Sequence, residues 1–367
     1  MSMIRKLTPV AIAIAALCSA PAFAGTTSAT ASNSQSTSAN QPNTPYYPAN
    51  TNSSNNAKLT NTVLQHASGN VGVNNAAGDT NQQANTTSIA ASMYTNNNNN
   101  ASATVENTQS QSQNSTNYLS NSNAENHAEL DRHVLQDASG NIGVNNAAGD
   151  NNQQGNATAI ATTNMEDSNT NATANVDSDQ TMSNFVTTTN NSSNKAELEG
   201  HALENASGNV GVNNASGYNN QQANGLAVAK ADDGVASATT DADQTDNVTA
   251  GYPSTSLTTN SSNSASLEND VLENASGNVH VNNAAGDNNE QGNFLAIAAT
   301  DDSLATASAP SSQVAMSSTA SMVGSSNNAT MSNEVLQNAS GNVGVNNSAG
   351  GNNQQLNSLA IATSNGD

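Results

Sequence analysis

The chain has one cysteine, no tryptophan, three phenylalanines and only six basic residues among 367. Each scarcity closes off a class of protein. The cysteine, Cys18, sits in a short N-terminal segment built like an export signal. Arg5 and Lys6 give it a positive start, Val10 to Leu17 an apolar run too short to span a bilayer, and Ala22-Phe23-Ala24 a small-x-small cleavage site. Cleavage there makes residues 1–24 a signal peptide and Gly25 the first mature residue. The mature chain then has no thiol, which excludes disulfides and cysteine-metal chemistry. It keeps Lys58, Arg132, Lys195 and Lys230 against 28 acids. No basic footprint is left for nucleic acid or for an anionic membrane surface, and no run is apolar enough to insert the mature chain in a membrane. Leu, Ile, Val and Phe together number 51 of 367, about 14%, below the roughly 20% under which a charged chain rarely builds an oily core. Order, if it forms, must rest largely on backbone and amide hydrogen bonds.

What is abundant is asparagine, 67 residues of it, and repetition. Five 28-residue segments align without a gap: 63–90, 134–161, 202–229, 271–298 and 335–362. Their shared pattern is [VA]-L-x-x-A-S-G-N-[VI]-x-V-N-N-x-[AS]-G-x-x-N-[QE]-Q-x-N-x-x-x-[IV]-A. A flexible N-terminal arm (25–62) precedes them and a short tail (363–367) follows. The spacers, 91–133, 162–201, 230–270 and 299–334, are rich in Asn, Ser, Thr and Ala without sustained periodicity. They read as loops or disordered linkers, with room for weak strands.

Within each repeat the signal is β. Val71-Gly72-Val73-Asn74-Asn75 alternates at period two, Ala77 to Asn81 is a Gly/Asx turn, and a second strand carries Gln83, Asn85 and Ile89 on one parity. The predicted fold class is all-β, with strand-turn-strand repeats stacked as β-solenoid or cross-β rungs. A lone repeat cannot bury its apolar face, but rungs about 4.8 Å apart place identical residues above one another. An amide side chain both donates and accepts, so Asn and Gln can bond along such a column. The predicted columns are Val71, Ile142, Val210, Val279, Val343; Val73, Val144, Val212, Val281, Val345; Asn75, Asn146, Asn214, Asn283, Asn347; Gln83, Gln154, Gln222, Gln291, Gln355; Asn85, Asn156, Asn224, Asn293, Asn357; and Ile89, Ile160, Val228, Ile297, Ile361. Two departures, His280 for Gly and Glu290 for Gln, fall on the opposite parity, which is therefore expected to be the less buried face. The first and last repeats match the pattern as fully as the middle ones, so the stack is expected to have open ends that template another chain.

The motif A-S-G-N-[VI]-G-V-N-N-A-A-G-D-x-N-Q-Q-x-N resembles the repeats of the Fap functional-amyloid system of pseudomonads. The resemblance implies an extracellular amyloid fibre subunit of the biofilm matrix, secreted to the cell surface. It implies an outer-membrane export pore and a minor or nucleating fibril subunit as partners, besides copies of the chain itself. By that likeness the columns above form the fibril core. Major subunits of the family commonly carry fewer repeats and a terminal Cys-x-x-Cys pair, so major, minor and nucleating roles stay open. No catalytic, cofactor or metal constellation stands out. The five histidines form no zinc spacing, and the turn acids Asp79, Asp150 and Asp287 lack a calcium-stacking repeat. The chain is read as no enzyme. The alternatives are a monomeric secreted β-solenoid acting as an adhesin or surface binder, and a matrix filler that never orders.

Overall fold

The computed structural model describes residues 26–39, 54–78, 80–92, 100–113, 119–164, 170–183, 186–247, 255–301, 303–315 and 319–365. The signal peptide assigned to residues 1–24, and Asp79, lie outside them. The described residues contain strands, turns and bends but no helix.

The chain winds through five rungs. The first holds β1 (Thr27–Ala39), β2 (Ser54–Thr60), β3 (Ser68–Ala77) and β4 (Gln82–Ser92). The second holds β5 (Asn100–Gln113), β6 (Leu119–Ser122), β7 (Glu125–Asp131), β8 (Ser139–Ala148) and β9 (Gln153–Thr163). The third holds β10 (Asn171–Ser183), β11 (Val186–Asn190), β12 (Ser193–Leu198), β13 (Ser207–Ser216) and β14 (Gln221–Ala231). The fourth holds β15 (Ala236–Asn247), β16 (Thr255–Thr259), β17 (Ser262–Glu268), β18 (Ser276–Ala285) and β19 (Glu290–Thr300). The fifth holds β20 (Ala305–Ser308), β21 (Ser311–Ala315), β22 (Thr319–Val323), β23 (Ser326–Ser332), β24 (Ser340–Ala349) and β25 (Gln354–Ser364). Corresponding strands pair in parallel into five sheets. Sheet I is β1-β5-β10-β15 with β20 and β21; sheet II is β6-β11-β16-β22; sheet III is β2-β7-β12-β17-β23; sheet IV is β3-β8-β13-β18-β24; sheet V is β4-β9-β14-β19-β25. In sheets IV and V like mostly pairs with like: Val210 sits between Ile142 and Val279, and Gln222 between Gln154 and Gln291.

The all-β stacked class expected from the sequence is the observed one. The loop reading of the spacers is corrected, since sheets I, II and III are built from the spacers and from the arm before the first repeat. The spacers hold alternating strands whose inward residues are mostly alanine or amide, as in Ala101, Ala103, Asn107, Gln109 and Gln111, all buried beside Val105. Their low hydropathy hid them, because it is the sheet packed against them that makes them strands.

Sheets III, IV, V and I form successive layers. Between III and IV lies the largest apolar cluster, with Leu130, Leu198 and Leu267 of sheet III against Ile142, Val144, Val210, Val212, Val279 and Val281 of sheet IV. Between V and I the filling is alanine, including Ala159, Ala161, Ala227, Ala229, Ala172 and Ala174. Alanine columns let two sheets approach closely and bury apolar surface with little side-chain entropy lost.

The corner between sheets III and IV is the same in every rung. Leu64, Leu135, Leu203, Leu272 and Leu336 all adopt φ between 56° and 60°, a left-handed conformation unfavourable for a leucine. The inner three are fully buried in the III–IV cluster, and that burial offsets the backbone cost. Leu203→Ala is expected to lower stability by about 2–4 kcal/mol, and the half-buried Leu336 of the last rung by about half that or less. Guanidinium unfolding of the two variants, followed by circular dichroism, checks the ratio.

Candidate functional site

The site of interest is the set of side-chain columns that run through the stack. Sheet IV is buried on both faces. Its Val71, Val73 and Asn75 columns face sheet III, and the Asn75 column also donates to sheet III carbonyls, as in Asn146 Nδ2 to Ala128 O at 3.2 Å. The Asn74 parity faces sheet V, where Asn145 Nδ2 reaches Ala84 O at 2.9 Å. Sheet V returns the contact: Gln154 Nε2 donates to Asn146 O at 2.9 Å and Asn156 Nδ2 to Val144 O at 3.3 Å. The Ile89 column continues the same interface with Ile160, Val228 and Ile297 buried.

Four of the amide ladders on these faces tie sheet IV to its two neighbours, each with one N–H···O bond per step. Asn75 donates to Asn146, Asn146 to Asn214, Asn214 to Asn283 and Asn283 to Asn347, at 2.9 Å each. Gln83, Gln154, Gln222, Gln291 and Gln355 run the same way at 2.8–2.9 Å. The other two point back toward the first rung. Asn357 donates to Asn293, Asn293 to Asn224, Asn224 to Asn156 and Asn156 to Asn85 at 2.8–3.0 Å. Asn346, Asn282, Asn213, Asn145 and Asn74 form the fourth at 2.9–3.0 Å. Each second amide hydrogen is free to bond a carbonyl of the facing sheet, so one side chain ties rung to rung and layer to layer.

The structure thus gathers the sequence-predicted residues into two interfaces rather than one inward face. The opposite-parity faces are not exposed, contrary to expectation. His280 and Glu290 are both buried, because the faces assumed to be outer are covered by sheets V and I. His280 points into the groove between sheets IV and V, where the other rungs have Gly72, Gly143, Gly211 and Gly344. Its burial pushes the imidazole down to about 4, so it stays neutral there. Gln82, Gln153 and Gln221, the column that Glu290 joins, pack against sheet I, with Gln153 Nε2 3.2 Å from Thr181 O.

Sequence reasoning missed two ladders that lie in the arm and spacers. On sheet I, Gln109 donates to Gln35, Gln180 to Gln109, Gln244 to Gln180 and Gln313 to Gln244, at 2.7–3.1 Å. On sheet III, Asn55, Asn126, Asn194, Asn263 and Asn327 bond in sequence at 2.8–2.9 Å. The signals were present: A-x5-Q recurs in the sheet I segment of all five rungs, from Ala29 to Gln35 onward, and [SE]-N-x-A-x-[LM] opens five strands of sheet III, from Ser54 to Leu59 onward.

Charged groups sit on the outer face of sheet III. Lys58 Nζ lies 2.5 Å from Glu129, Lys195 pairs with Glu197, and His127 Nε2 is 3.2 Å from Glu129 and 3.0 Å from Glu197. His127, Glu129 and Glu197 could together ligate a cation, but the two ammonium groups already occupy their carboxylates. A second group, Asp270, Glu273 and Glu334, lines the III–IV corner, and the nearby Glu273 carboxylate raises Glu334 above its ordinary value.

A sequence profile of the functional amyloid protein FapB/FapC family matches residues 10–124, 102–261 and 242–367. The chain is similar to the functional amyloid subunit FapC of Pseudomonas aeruginosa, at 38% identity over 297 residues, which is 73% of this chain and 84% of that protein. No solved structure matches.

If both faces of sheet V are interior, their glutamines are equally sensitive. Gln222→Met removes bonds to Gln154, Gln291 and Asn214, and Gln153→Met removes bonds to Gln82, Gln221 and Thr181. Each variant is expected to lose about 2–4 kcal/mol, most of it the cost of stranding buried partners. Denaturant midpoints check this; a near-zero loss for Gln153→Met would return that column to a solvent-facing surface.

Proposed function

Since this chain belongs to the functional amyloid protein FapB/FapC family, we propose that it is a secreted subunit that polymerises end to end into extracellular cross-β fibres of a biofilm matrix. The columns from Val71 to Ile361 are the fibre core in this reading. The role is structural rather than enzymatic. The partners are further copies of the chain, with a minor or nucleating subunit and an outer-membrane export pore as expected of such a system.

One observation carries the reading: the last rung is a buried rung left uncovered. Val343, Val345 and Leu359 are 43%, 38% and 46% exposed, whereas their counterparts one rung inward, Val279, Val281 and Leu295, are 0%, 0% and 1% exposed. Among the described residues no strand covers β24 and β25 on that side, or β3 and β4 at the other end. Edges with free backbone groups and apolar side chains in register are templates for another strand. The ladders favour head-to-tail stacking. Two point toward the fifth rung and two toward the first, so a first rung laid on a fifth continues all four.

The glycine turn between sheets IV and V offers a test. Gly149, Gly217 and Gly286 have φ of 111–117°, and a Cβ on each would come within about 2 Å of the carbonyl oxygen of the next rung's glycine. At Gly350, φ 115°, the same Cβ would meet only Asn353 Nδ2, at 3.6 Å. Gly350→Ala should therefore leave the chain folded, at a backbone cost of about 1–3 kcal/mol, while colliding with an incoming first rung. Seeded elongation should fall at least tenfold, and small amounts of the variant should poison wild-type growth. Elongation at the parental rate would contradict head-to-tail stacking, and a stable monomer with no fibres for the wild type would favour a monomeric surface-binding solenoid.

A further inference from the structure

The column on the sheet I side of sheet V has one break. Gln153 Nε2 donates to Gln82 Oε1 at 3.1 Å, Gln221 Nε2 to Gln153 Oε1 at 2.9 Å, and Gln354 Nε2 to Glu290 Oε2 at 2.7 Å. All three bonds point toward the first rung. The missing step is from Glu290 to Gln221, which are register partners in adjacent strands. A glutamine at 290 would donate there, but a carboxylate has nothing to donate. Accordingly Gln221 Oε1 and Glu290 Oε1 are both buried and both without a hydrogen-bond partner. Two register partners thus each keep an unpartnered acceptor oxygen, at the one step of the column where the other steps have a donor.

We propose that Glu290 is a proton-operated latch between the third and fourth rungs. Taking one proton from water, its Oε1 becomes an O–H that donates to Gln221 Oε1 and completes the ladder, while Oε2 still accepts from Gln354. Releasing the proton leaves two oxygens opposed in a buried strip. For fibres this rests on the polymerisation proposed above; the contact itself lies within one chain.

The surroundings agree. Glu290 is 2% exposed, and burial first, then the Asp246 carboxylate, raise its acid to about 7 from an ordinary 4.5, against the opposing pull of the Gln354 bond. Of the elements packed on β19, β15 brings Asp246, itself buried, with Asp241 and Asp243 turned to solvent. Strand β18 brings the neutral His280 on the opposite face, and β14 brings Lys230 near its far end. Strands β20, β24 and β25 bring no titratable group, and Asp287 lies in the turn before β19. The sign follows. The folded chain holds the proton up to about pH 7 and the unfolded chain only to about 4.5, so the added stability is full below about 4.5 and is lost as the pH rises to about 7.

The test compares guanidinium midpoints of the mature chain, wild type and Glu290→Gln, from pH 4.5 to 8, with Asp246→Asn as a second variant. The glutamine completes the ladder at every pH. The two proteins should match near pH 4.5 and diverge above it, until at pH 8 folding of Glu290→Gln is favoured by about two orders of magnitude, roughly tenfold per unit of displaced titration. Asp246→Asn should keep a step, moved to lower pH. Parallel curves for wild type and Glu290→Gln, or a step abolished only by Asp246→Asn, would overturn the latch. Electron microscopy of the same samples separates the two readings. Fibres with parallel curves sink the latch alone, and diverging curves without fibres sustain the latch while sinking the polymerisation.

Discussion

Parallel backbone pairing sets the terms for everything else in this protein. Strands of successive rungs lie about 4.8 Å apart, and with each strand paired in register to its counterpart, every side chain meets its own equivalent above and below. Only some side chains tolerate that. Identical charges repel, and hydroxyl columns bond weakly. Valine, isoleucine and alanine pack on themselves, and asparagine and glutamine complete each other because one group carries both donor and acceptor. The composition follows from this constraint. The asparagine-rich chain can do without a large apolar core because its amides do not merely fill space: each links two rungs and many also link two sheets, as Gln222 does through Gln154, Gln291 and Asn214.

The same constraint explains where charge is allowed. Lys58, Glu129, Lys195 and Glu197 lie on the outer side of sheet III, where Glu129 and Glu197 are register partners and each is matched by an ammonium group, Glu129 by Lys58 of the neighbouring rung and Glu197 by Lys195 of its own strand. Asp177, Asp179, Asp241 and Asp243 lie on the outer face of sheet I, where burial and mutual repulsion raise Asp179 to about 6. Among the described residues of the buried columns, Glu290 and Asp246 are the carboxylates that lie opposite one another across the interface of sheets V and I.

Much of this was legible in the sequence, and what was not has a physical cause. The 28-residue unit showed itself because sheets IV and V and the turn joining them have fixed length, so Val71 to Ile89 recur without gaps. Sheets I to III did not, because loops of unequal length shift their register. The spacing between corresponding glutamines runs 71, 68, 69 and 64 residues. Their strands keep only an alanine and a distant glutamine, or an asparagine and a leucine, too little for a hydropathy scan. Face assignment failed for a related reason. Period-two alternation shows that a strand has two faces, but not that sheets IV and V are covered on both, so His280 and Glu290 were placed outside. The left-handed leucines left no trace at all, since nothing local marks Leu203 as a residue that bears strain in exchange for burial.

One chain supplies five layers, and in the proposed fibre those layers continue from one chain to the next. Cryo-electron microscopy of fibres grown from the mature chain tests it through the axial rise per subunit. Five rungs at the cross-β spacing predict about 24 Å per chain, with a layer line near 4.8 Å inside it. A rise of about 4.8 Å per chain, each molecule flattened into a single layer as in an ordinary in-register amyloid, would contradict the account.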